Sequence, residues 1–150
     1  MKKCLTLILF FAAFSLNAQT AAELDTLLEN AEVSAATAAR FVLASAALVP
    51  EDLSGEAAET AAFEMAVSKG WLTRGAADSV TLRDTAFLVM NAFELKGGIM
   101  YSLFHNPRYA YRETVYRKII RGRADPAMTV SGIRLLQIID SALAFSGGDQ

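Results

Sequence analysis

The chain has 150 residues, a formal net charge of −2 at pH 7, 53% apolar residues and 9% aromatic residues. That length accommodates one ordinary domain rather than two, and the apolar share comes largely from Ala and Leu, a helix-forming rather than a β-sandwich composition. With one histidine, His105, and one cysteine, Cys4, a His/Cys metal site within one chain is excluded; no Gly-x-Ser-x-Gly elbow is present, although spacing alone leaves a Ser-His-Asp arrangement open.

Lys2 and Lys3 followed by the apolar run Leu5 to Phe14 read as a secretory leader, 1–18, cut after Ala18 and before Gln19. Ala13-Phe14-Ser15 is the competing cleavage point. The run falls short of the roughly 20 apolar residues a spanning helix needs, so the expectation is an exported protein, periplasmic or envelope-associated, with no stable transmembrane anchor. Cys4 lies in that leader, which leaves the mature chain without a disulfide or a thiol nucleophile.

From Thr20 to Leu48 the chain has no Gly or Pro, and Leu24, Leu27, Leu28, Ala31, Ala35, Ala38, Val42 and Ser45 recur at three- and four-residue steps. The spacing predicts one long N-terminal helix within 19–50, stopped by Pro50. Ser54 is the expected cap of a second helix carrying Phe63, Ala66, Val67 and Trp71, broken near Gly70. Thr81-Leu82-Arg83-Asp84 reads as a capping box for a third, carrying Ala86, Val89, Met90 and Phe93. Gly97-Gly98 ends it, Ile99 to Phe104 forms a short helical turn, and Asn106-Pro107 opens a helix with Tyr111, Val115, Tyr116, Ile119 and Ile120 on its apolar side. Ile133, Leu136, Ile139 and Leu143 mark the last helix, and 147–150 is a frayed end.

Two loops share a pattern. Arg74-Gly75-Ala76-Ala77-Asp78 leads to Thr81, and Arg121-Gly122-Arg123-Ala124-Asp125 leads to Thr129, with one extra residue in the second. Each lies between two helix-like runs. The prediction is therefore an all-α bundle of two repeated helix–loop–helix units within 51–150, packed with the long helix of 19–50 as one domain. Gly75 and Gly122 are expected in special backbone conformations, Asp78 and Asp125 as turn formers, and Thr81 and Thr129 as closing residues. Calcium is the other reading of the two aspartates, but neither loop carries the alternating acids such a site needs.

Charge is distributed unevenly. Acids dominate from Glu23 to Glu64, with Arg40 the lone base among them, whereas Arg108, Arg112, Arg117, Lys118, Arg121 and Arg123 crowd around Glu113. Both clusters read as solvated faces or as a docking surface for an anionic polymer or acidic partner. Tyr109 among Arg108, Arg112 and Arg117, with Arg83 on the other unit, forms the candidate binding set, because tyrosine faces stack on sugar rings and arginine forks grip carboxylate or phosphate. Tyr111 and Tyr116 read equally as core or boundary residues, and His105, ahead of Asn106-Pro107, as a loop or packing residue.

The double unit resembles the S-layer-homology module, on Ala66 to Leu72, Gly75 and Val80 to Ala86 in the first copy and Tyr116 to Gly122 and Met128 to Gly132 in the second. That resemblance implies a helical fold and binding of an envelope polysaccharide. It also implies an arginine after the threonine, where this chain has Leu82 and Val130, and an acid where it has Asp84 and Gly132. The expected function is an exported, non-enzymatic envelope protein binding peptidoglycan or a related polysaccharide, with no metal, cofactor or nucleic acid. The alternative is a periplasmic protein–protein adaptor or scaffold, self-associating or bound to another envelope protein, that kept the fold and lost the glycan site.

Overall fold

The computed structural model describes residues 21–148. The expected leader 1–18, its Cys4, and residues 149–150 lie outside the described residues. Within them are seven helices and no strand: α1 (residues 21–29), α2 (Ala35–Ser45), α3 (Gly55–Ser68), α4 (Leu82–Ala92), α5 (Ile99–Phe104), α6 (Pro107–Tyr116) and α7 (Gly132–Gly148). The fold is all-α.

The single helix expected within 19–50 is two helices, parted at residues 30–34. Ser34 is the reason. Its backbone is extended, and its hydroxyl accepts the N–H of Thr37 at 3.2 Å, so a new helix starts there. The apolar periodicity runs across the break because both pieces bury apolar residues, Leu27 in α1 and Ala35, Ala38 and Val42 in α2, although Leu24, Leu28 and Ala31 of the same spacing are exposed.

This break turns two expected helix–loop–helix units into three: α1/α2, α3/α4 and α6/α7, with α5 as a link. Their loops meet in a closed ring of backbone hydrogen bonds. Val33 N–H donates to Val130 O (2.8 Å), Val130 N–H to Val80 O (3.2 Å) and Val80 N–H to Val33 O (3.0 Å). Two residues further on, a second ring circulates the other way: Ala35 to Asp78 O (2.8 Å), Leu82 to Met128 O (2.9 Å) and Gly132 to Asn30 O (2.9 Å). The three valines are fully buried, so these amides have no water to turn to and the loops satisfy one another. Around the ring α2, α4 and α7 touch one another, while α3 packs outside on α2 and α6 on α4.

The ring fixes which residues correspond. Ser34, Thr81 and Ser131 each precede a second helix, and each accepts the N–H three residues on, from Thr37, Asp84 and Arg134. Ser131, not Thr129, is thus the partner of Thr81. The shared Arg-Gly-x-Ala-Asp pattern is likewise out of step. Asp78 N–H closes a turn on Gly75 O and Met128 N–H closes one on Asp125 O, both at 3.0 Å, so Asp125 stands where Gly75 does. Gly122 has φ +75°, as expected, whereas Gly75 lies outside the positive-φ region and instead donates its N–H to the Asp78 carboxylate at 2.9 Å.

Helix ends repeat as well. After α2, α3, α4 and α6 a left-handed residue follows the cap: Ala47, Gly70, Glu94 and Lys118. The next N–H then reaches back to the fifth residue before it, as in Leu48 to Leu43 O and Ile119 to Thr114 O. These are Schellman closures, with the following Leu48, Trp71, Leu95 or Ile119 turned onto the core.

Candidate functional site

Between α1, α2 and the start of α3 lies a cleft of about 430 Å³, within the range of small-ligand sites. Ala-rich α2 lets α3 come close, and the extended break at 30–34 swings α1 out to form the far wall. Arg40 lies at the centre. Its guanidinium pairs with Glu23 at 3.3 Å, while its Nε is buried with no partner among the described residues. The other Glu23 oxygen accepts the N–H of Gly55, at the start of α3, at 3.0 Å. Thr37 donates to Glu59 at 3.4 Å, and Thr26, Asn30 and Phe41 complete the wall. Glu23, Glu56 and Glu59 outnumber the single arginine. The chemistry is that of hydrogen-bond acceptors beside an aromatic face, suited to a neutral, hydroxyl-rich ligand and poorly suited to a polyanion.

A second cleft, of about 420 Å³, lies beside α7. Arg134 dominates it, donating to the carbonyls of Arg121 (3.3 Å) and Arg123 and to the Met128 sulfur (3.1 Å). With its donors turned onto its own loop, Arg134 holds residues 121–128 against α7. No family model, curated protein or solved structure matches the chain.

The candidate arginines do not converge on either cleft. Arg108 and Arg112 are exposed one turn apart on α6. Tyr109 stacks on Phe104 with ring centroids 5.4 Å apart. Arg117 pairs with Glu113 and lies 4.8 Å over the Phe145 ring, which pins α6 to α7. Arg83 is exposed at the start of α4, and its N–H donates to Pro126 O at 3.2 Å. The loop residues act as turn formers: Asp125 accepts the N–H of Ala127 at 2.8 Å, and Asp78 folds back on Gly75. Thr129 and Ser79, equivalent in the ring, both donate to Glu32, at 3.2 and 3.0 Å, so one carboxylate ties the three loops together.

Thr81 and Asp84 form the complete capping box, and Arg74 joins it by donating to Asp84. Burial pushes the Asp84 carboxyl upward, but the Thr81 hydroxyl, the Arg74 guanidinium and the Thr81 amide outweigh it and hold the carboxyl below its ordinary value. His105 packs: its ring lies 4.7 Å from Tyr101 and 5.8 Å from Phe87, and Nε2 donates to Asn91 at 3.0 Å. Burial drives the Tyr101 hydroxyl up to about 12.

Glu32, Arg40 and Arg134 had no place among the candidates. For Arg40 a signal existed, a lone base in an otherwise acidic, Ala-rich segment. Glu32 and Arg134 carry none, because their roles depend on the register of the ring.

Proposed function

We propose that the protein is an exported, non-enzymatic envelope protein of S-layer-homology type that binds peptidoglycan or an associated polysaccharide in the cleft around Arg40. The observation that carries this reading is the composition of that cleft: a half-buried guanidinium, carboxylates, Thr26, Asn30 and Thr37 beside Phe41, lying between two units. Carboxylate and amide oxygens accept from sugar hydroxyls, Arg40 supplies donors, and Phe41 offers an apolar ring face.

Retention on purified sacculi tests the reading. The wild-type chain is expected to sediment with them, and Asn30→Ala and Arg40→Lys are expected to reduce retention at least fivefold with melting temperatures unchanged. Equal retention of all three proteins would refute the cleft as the site, and no retention of any would refute glycan binding.

The adaptor reading draws on a different observation. At the position following each cap the chain has Ala35, Leu82 and Gly132, all buried against a neighbouring loop, so no unit offers the arginine that the resemblance implies. On that reading the purified protein co-purifies with an envelope protein, or is an oligomer in light scattering, and ignores sacculi.

A further inference from the structure

α5 leaves four apolar side chains in water: Ile99 is 86% exposed, Leu103 70%, Phe104 53% and Met100 49%. This exposure is built into the fold. Tyr101 points inward and is buried, seated over Gly97 so closely that a Cβ there would lie 2.2 Å from its ring. Anchored through Tyr101, α5 must present its other face outward, and the left-handed His105, at φ 37°, then turns the chain into α6. Phe104 stacks on Tyr109, which carries the apolar surface onto the first turn of α6. Exposed Lys96 precedes it in the chain and exposed Arg108 and Arg112 follow it on α6, and from Leu95 to Arg112 the chain contains no acid. Of the flanking acids, Glu94 is exposed and Glu113 is paired with Arg117.

We propose that α5 and the first turn of α6 dock on an anionic phospholipid surface, with Ile99, Met100, Leu103 and Phe104 entering the headgroup–acyl boundary and Lys96, Arg108 and Arg112 meeting lipid phosphates. Apolar and aromatic side chains rimmed by basic ones are the chemistry of interfacial attachment. The charge also decides against a second copy as the occupant: a two-fold contact through this face would set its arginines and lysine against their own counterparts. In a chain of net charge −2 the acid-free stretch from Leu95 to Arg112 runs opposite to the whole, and the Glu113 carboxylate that lies beside Gly98 is neutralised by Arg117.

The test places a reporter in the patch. Leu103→Trp in the full chain, with wild type giving the background of Trp71, is mixed with vesicles carrying brominated acyl chains. One set is of phosphatidylcholine alone and one contains phosphatidylglycerol. Emission of the introduced indole is expected to shift blue and to be quenched in the anionic vesicles and much less in the neutral ones. Arg108→Ser with Arg112→Ser is expected to weaken that binding roughly 25-fold, from about fivefold per basic residue, and Ile99→Ser to weaken it further. An unquenched reporter in anionic vesicles overturns the proposal, including the case where the chain binds them through residues 5–14. A reporter already shielded without lipid overturns it too, in favour of a second copy if the shielding rises with protein concentration and of the N-terminal segment if it does not.

Discussion

Gly132 begins α7, and its N–H closes the second ring on Asn30 O at 2.9 Å. Its φ is not in the left-handed region, so by helix propensity alone Gly132→Ala would be stabilising by about 0.5–1 kcal/mol. Packing reverses the sign. A Cβ at 132 would stand 1.6 Å from the carbonyl oxygen of Leu27 and 2.5 Å from its carbon. Both are backbone, so no rotamer change makes room; α1 has to move away from α7. That motion stretches the Gly132–Asn30 hydrogen bond, about 1 kcal/mol, and exposes Leu27, which is buried to 1% exposure and whose re-exposure costs about 2 kcal/mol. Set against the propensity gain, the net loss is about 2 kcal/mol, or roughly 7 °C in melting temperature for a chain of this size.

Thermal unfolding followed by circular dichroism measures this, with Gly147→Ala as the control. Gly147 lies in the same helix with nothing within 4 Å of an added Cβ, so its alanine variant is expected within about 0.5 kcal/mol of wild type. A Gly132→Ala protein melting at or above wild type would refute the close approach of α1 to α7, and with it the closure of the third unit.

Lys118 occupies the left-handed position after α6 at φ 58°, where a side chain costs about 1–2 kcal/mol; Lys118→Gly, after its extra unfolded-state entropy, is expected to stabilise by about 0.5 kcal/mol in chemical denaturation. Gly122→Ala meets open space but a φ of +75° and is expected to cost about 1 kcal/mol. Gly75→Ala meets only the Asp78 carboxylate, at 3.1 Å, and is expected to cost clearly less in the same assay. Because the folded Asp84 carboxyl lies below its ordinary value, the stability it contributes is present above about pH 4 and is lost as pH falls through the folded value. Asp84→Asn is expected to cost about 1 kcal/mol at pH 7 and to flatten the acid limb of a stability–pH curve.

The helices of 55–148 were legible because their signals are local. The capping box at Thr81, the Asn106-Pro107 start and the glycine after α3 all act within a turn or two of themselves. The start of α2 has an equally local cap in Ser34, yet it sits inside a run whose apolar spacing continues unbroken, and periodicity outweighed it. What set the register of the three loops is not local at all. Val33, Val80 and Val130 are recognised by the partners they share, and a valine followed by Ser or Thr is too common to mark itself. The Arg-Gly-x-Ala-Asp pattern implies a correspondence three residues out of step, since in one loop the aspartate closes the turn and in the other it opens it. The candidate site is divided in the same way: Arg108 and Arg112 form an exposed row on α6, whereas Tyr109 packs on Phe104 and Arg117 on Phe145.

The ring also ties binding to folding in a way no single unit would. The cleft has one wall on α1, and α1 is held in place by Leu27 and by the Gly132–Asn30 bond to α7, which does not line the cleft. A ligand gripping Asn30, Arg40 and Glu59 at once therefore favours only the state in which all three units are closed, and stabilises it by mass action. The Glu32 carboxylate, shared between Ser79 and Thr129, belongs to the same closure without lining the cleft. Loosening it by Glu32→Ala is thus expected to weaken any cleft ligand through the population of closed rings, leaving every contact residue in place.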